Sequence, residues 1–229
     1  MRGVARFRAW LLLCACLAAN VLFQRLNPPT WSDAYLLGNP PPAAAVRVAT
    51  LGEGVLASYL VMLYLQNLNV HLGLATPLAD IDRPAIVRWL DLAIQLDPGS
   101  GYPLLLASRH FAETGSPGQR RLMLDWVYRR FVERPNQRWE WLVHAVYVAR
   151  HVLNDNALAE YYAAALRTQV NDPKAPSWVR QMDLLLRADL GEAADARAIL
   201  GRLIAAGQIR SPAELKFLES RLPPLTGNP

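Results

Sequence analysis

The chain has 229 residues, of which 52% are hydrophobic and 19% charged, enough apolar material for one packed domain with a short appendage. Its net charge of +5 sits at the start: Arg2, Arg6, Arg8 and Arg25 fall in the first 30 residues, which hold no acid, leaving 20 bases against 19 acids elsewhere. That nearly neutral body excludes the broad basic surface that nucleic-acid binding needs, and with Cys14 and Cys16 as the two cysteines it excludes a disulfide framework, a thiolate metal site and a cysteine nucleophile.

Residues 1–26 read as a signal-anchor or transmembrane helix. Three arginines precede an uncharged run from Ala9 to Phe23 and one follows it, so the positive-inside bias puts the N-terminus in the cytoplasm and exports the body. The run is 15 residues, shorter than the roughly 20 of a typical span and long for a signal peptide. An uncleaved anchor is the first reading, ahead of cleavage after Ala18 or Ala19 and of lipidation at Cys16. Residues 27–45, with five prolines, predict a semi-rigid spacer.

The body, residues 46–222, is patterned as helix throughout, with residues 223–229 as a tail. Thr50 and Glu53 have the form of a capping box opening a helix to about Val70, apolar all round from Val55 to Leu65 except for Ser58, and so expected to be buried. Asp82 and Pro84 start a helix that runs to Asp97-Pro98. Further helices are predicted at 103–114, 119–133, 139–152, 156–169, 176–190, 192–206 and 212–221. No segment alternates with period two, so no strand is expected.

A shift of 37 residues superimposes several apolar positions: Leu104, Trp141 and Trp178; Ser108, Ala145 and Met182; Phe111, Val148 and Leu185; Leu124, Tyr161 and Ala198. The pattern over residues 84–206 resembles the tetratricopeptide repeat, most closely at Leu92 with Asp97-Pro98 and at Ala157, Tyr161 and Ala164. It departs from that family in its period of 37 rather than 34, in Ser, Ala or Met at the family's Gly, and in Arg120 at an alanine position. The resemblance implies an all-α, tetratricopeptide-like α-solenoid of about four helix pairs, preceded here by one transmembrane helix. The pair 51–70 with 83–96 comes first and 212–221 caps the end. Trp141 is expected in the core, where truncation to Ala costs about 3–5 kcal/mol.

Chemistry is sparse. His144 and His151 share a helix face but lack a third ligand, and no phosphate loop or nucleophile elbow occurs, so neither an enzyme nor a metal or other cofactor is expected. The arginine stretch 120, 121, 129, 130, 134 and 138 reads as a solvated face or, less readily, as an anion contact. Carrying over the family's groove position by position implies a partner-binding groove of Tyr102, Leu105 and Arg109, then Trp139, Leu142, Val146 and Arg150, then Val179, Asp183 and Arg187.

The sequence therefore reads as a periplasmic scaffold, single-pass in the inner membrane, that binds another protein of the cell envelope through that groove. The rival reading is a permanent structural subunit of a membrane-protein complex, packed through helix 51–70.

Overall fold

The computed structural model describes residues 2–26, 37–68, 81–207, 209 and 211–222. Among these it is all helical. The helices are α1 (Arg2–Leu26), α2 (Ala43–Ala49), α3 (Gly54–Gln66), α4 (Arg83–Leu96), α5 (Tyr102–Leu105), α6 (Pro117–Glu133), α7 (Pro135–Tyr147), α8 (Asn156–Gln169), α9 (Ser177–Arg180), α10 (Met182–Asp189), α11 (Ala193–Ala205) and α12 (Pro212–Arg221). α5 continues as a π-helix over Leu106–Phe111, and α7 over Val148–Val152.

Local sequence explains most of the boundaries. Asp82, Ser116, Asp155 and Ser211 each accept a hydrogen bond from a backbone N–H two or three residues into the following helix. Gln119 returns the bond to the Ser116 backbone, completing a capping box. Gly115, Asn154 and Gly191, at predicted breaks, take positive φ of 87°, 54° and 78°.

Successive helices pack on one another, α3 with α4, α6 with α7, α7 with α8, α8 with α10 and α10 with α11. One core runs from α3 to α10, and a smaller cluster of Leu184, Ile199, Leu200, Leu203 and Leu218 closes the C-terminal end.

Several expectations are corrected. Thr50 does not cap a long helix: its hydroxyl donates back to the Val46 and Arg47 carbonyls, and Leu51 and Gly52 take positive φ. Residues 50–53 thus form a corner between α2 and α3, whose axes differ by 107°. The proposed spacer ends by residue 43, where α2 begins, and its last part packs on the body: Leu37 is buried and the Trp89 indole donates to the Gly38 carbonyl at 2.8 Å. Residues 27–36, residues 69–80 with His71 and the expected helix end at Val70, and residues 223–229 lie outside the described residues.

The N-terminal segment is a helix of 25 residues. Among the described residues no single helix is long and apolar enough to cross a membrane.

The tryptophans are also redistributed. Trp141 is half-buried, lying over Gly101, whereas Trp126 is the fully buried one. Gly54 is required where α3 starts, because a Cβ there would meet the Leu96 carbonyl oxygen at 2.5 Å. Ser58 fastens the same two helices by donating to the Ala93 carbonyl at 3.0 Å.

Candidate functional site

The groove residues do not form one open surface. Leu142, Val146 and Val179 are in the core. Their burial traces to register. In the first helix of each unit the buried set Leu104, Ala107, Ser108 and Phe111 maps onto Leu142, Ala145, Val146 and Ala149, a shift of 38 and not 37. One residue turns a helix position by about 100°. The exposed Leu105 and Arg109 consequently correspond to Val143 and Tyr147, and it is Tyr147 that faces solvent. A trial shift of 38 would have exposed Tyr147 as the candidate.

Three of the polar groove residues, Arg150, Asp183 and Arg187, are engaged in holding helices together, while Arg109 is exposed. Arg150 bonds Asp189 at 3.3 Å and Asn156 at 3.1 Å. Arg187 reaches Glu160 at 2.9 Å and Glu192 at 2.8 Å. Asp183 pairs with Arg167 at 3.2 Å, and its burial, opposed by that arginine, leaves its carboxyl above the usual range. Trp139 is half-buried against the edge of Trp178, ring centroids 6.1 Å apart. Tyr102 leans the other way, onto Tyr59 of α3 at 5.9 Å.

The arginine stretch is likewise structural rather than simply solvated. Arg121 bonds Asp155, Arg130 bonds Asp91 and Glu133, and Arg134 and Arg138 donate to the Pro98 carbonyl. Each contact crosses between helices or their connecting turns except that of Arg130 with Glu133.

What stays exposed between Arg109 and Tyr147 is a small polar patch. Glu113 meets the His144 ring at 2.9 Å, and Tyr147 stacks between His144 and His151 at 5.7 and 4.9 Å. Burial, with Arg109 adding repulsion and Glu113 opposing, holds the His144 imidazole below its ordinary pKa. Burial and the Arg83 guanidinium do the same to His110. A folded-state pKa below the unfolded value of about 6.5 means that these rings stabilise the fold above that pH and lose the contribution as pH falls. The melting temperature is expected to drop from about pH 7 to about pH 5. A His110→Gln/His144→Gln variant, followed by thermal denaturation, should show a flatter profile over that window. Among the described residues no group of acids, histidines and cysteines could hold a metal ion.

The largest departure from an ordinary soluble surface is on α3. This helix carries no charged residue. It buries Ala57, Ser58, Val61, Met62 and Leu65, its face toward α4. The opposite face stands open: Val55 is 68% exposed, Leu56 52% and Leu60 50%, with Leu63 beside them, while Tyr59 and Tyr64 at its edges pack on Tyr102 and Trp89. At the α2–α3 corner Val48 and Leu51 are exposed as well, Leu51 by 92%.

The helix was expected to be buried on all sides. It stands at the start of the packed helix series, on α4 and the short α2 with Tyr102 against Tyr59, and among the described residues none covers Val55, Leu56 and Leu60. That terminal position was the available signal, since a terminal unit needs a polar outer face and this one has none.

No protein-family model matches the chain, and neither the curated proteins nor the solved structures contain a match.

Proposed function

We propose that the protein is a permanent structural subunit of a membrane-protein complex and that it packs on its partner through the uncharged outer face of α3. The observation that carries this reading is the contiguous exposure of Val55, Leu56, Tyr59, Leu60 and Leu63 on a helix without a charge. Exposed apolar patches of this kind mark protein or membrane contacts, and burying a Leu or Val side chain is worth about 1.5–3 kcal/mol. The exchangeable adaptor has weaker support. Leu142, Val146 and Val179 supply no open apolar floor, and Arg150 and Arg187 are already paired.

In this reading the order of helix pairs is a tetratricopeptide-like stack, with no catalytic role, and α1 holds the chain at the inner membrane. A short apolar stretch is accommodated by local bilayer thinning and snorkelling of flanking side chains. The arginines before it would keep the N-terminus cytoplasmic and the body periplasmic. Protease added to the periplasmic side should digest the body; a protected body would refute the topology.

The docking face has its own test. In gentle detergent the wild-type chain should co-purify with one stoichiometric membrane protein. Leu56→Asn/Leu60→Asn/Leu63→Asn should lose that partner while its unfolding free energy stays within about 1 kcal/mol of wild type, because exposed positions contribute little to the isolated fold. A wild-type chain that purifies alone, or a triple variant that keeps its partner, would reject the assignment.

A further inference from the structure

A cleft of about 570 Å³ lies at the C-terminal end of the molecule, between the end of α8, the α9–α10 junction and α11, within the size range of ligand sites. Arg167, Arg180 and Arg202 line it. Arg167 pairs with Asp183, whereas Arg180 and Arg202 have no carboxylate partner among the described residues. Three guanidinium groups around one cleft make its local potential positive, which favours an anionic group there.

A second observation is independent of charge. Gln181, 3% exposed, sits at the break between α9 and α10 and also lines the cleft. Its amide N–H donates to Glu214 at 2.5 Å, which orients the side chain, and its carbonyl oxygen is buried without a donor. A buried acceptor left unsatisfied is costly, and in a cleft it is a place for a ligand N–H. Ile199 and Leu203 complete the lining with apolar surface.

We propose that this cleft binds an acidic peptide segment of a partner protein. A carboxylate side chain answers Arg180 and Arg202, a backbone N–H answers the Gln181 oxygen, and an apolar neighbour covers Ile199 and Leu203. An inorganic anion would answer only the first of these. Guanidinium–carboxylate bonds are directional and about twice as strong as neutral ones, so the acidic position should dominate selection.

The test is selection from a random heptapeptide display library against the full chain in detergent, in parallel with Arg180→Ala/Arg202→Ala. Wild type should enrich peptides carrying Asp or Glu next to an apolar residue, and the double variant should not. A synthesised winner should bind at least about tenfold more weakly when its acid is replaced by the amide, or when the double variant is used, as for one lost charge-assisted hydrogen bond. Gln181→Leu should weaken the same peptide, and inorganic phosphate should not displace it. Equal acidic enrichment by both proteins, neutral winners, or displacement by phosphate would overturn the proposal. Thermal denaturation of each variant separates lost binding from lost folding, and Arg180→Gln/Arg202→Gln, which removes the charge but keeps much of the side chain, replaces an alanine variant that unfolds.

Discussion

Trp126→Ala should cost about 3–5 kcal/mol of stability, the largest effect of any single substitution considered for this chain. Trp126 is 1% exposed, at the centre of the core between α4 and α6. Removing the ring leaves a cavity, and it also removes the donor to Asp91, whose carboxylate accepts from the indole N–H at 2.6 Å. Arg130 partly compensates, since it reaches the same oxygen at 2.7 Å and stacks over the indole. Trp126→Phe separates the two contributions, keeping most of the volume and losing the bond. Thermal and urea denaturation followed by far-ultraviolet circular dichroism should place Phe between Ala and wild type. If Trp126→Ala lowers stability no more than replacement of the half-buried Trp141, the assignment of the core centre is wrong.

Arg138→Ala should be the next most damaging, at about 2–3 kcal/mol. The side chain is 4% exposed and joins three places: the Arg130 carbonyl at 2.6 Å, Glu133 at 2.9 Å and the Pro98 carbonyl at 3.2 Å. Those acceptors belong to the end of α6 and the turn after α4, so the guanidinium fixes how α7 meets the preceding pair. Truncation leaves the carbonyls without this donor, while Glu133, which is partly exposed, regains water, and this limits the loss. Arg138→Lys retains charge but not the forked donor geometry and should recover only part of the stability. Arg130 and Glu133 are shared with the Trp126 cluster, so Trp126→Phe and Arg138→Ala combined should deviate from additivity, and a double-mutant cycle measures by how much.

Much of the architecture was legible from residue order. Asp82, Ser116 and Ser211 mark helix starts because their side chains satisfy backbone donors that no helix can satisfy internally. Gly115, Asn154 and Gly191 mark ends because positive φ is accessible to them. The absence of period-two patterning excluded strands. These are local rules, and local sequence suffices for them.

The faces of the helices were a different matter. The π-turns at Leu106–Phe111 and Val148–Val152 change how many residues separate equivalent positions. In the second helices the buried set Met123, Leu124, Val127 and Phe131 maps onto Tyr162, Ala163, Leu166 and Val170 with a shift of 39. Between α8 and α11 the shift is 37, with Ala159, Tyr162, Ala163 and Leu166 mapping onto Ala196, Ile199, Leu200 and Leu203. A single period of 37 therefore rotated whole faces, placing Leu142 and Val146 in a groove and matching Tyr161 to the buried Leu124. Tyr161 is in fact exposed, its hydroxyl bonded to that of Tyr128.

Residue order by itself determined that the described residues are helical, where many of the helices after residue 82 begin and end, and that the charge is concentrated at the N-terminus. Only the tertiary structure decided which sides are covered. An arginine-rich stretch and a solvated face look alike until the acids across the gap are located, as Asp91 is for Arg130 and Asp155 for Arg121. An apolar helix looks buried until its neighbours are placed, and among the described residues α3 has none over Leu56 and Leu60. Periodicity records a helix's own preferences, whereas burial depends on what the rest of the chain puts beside it.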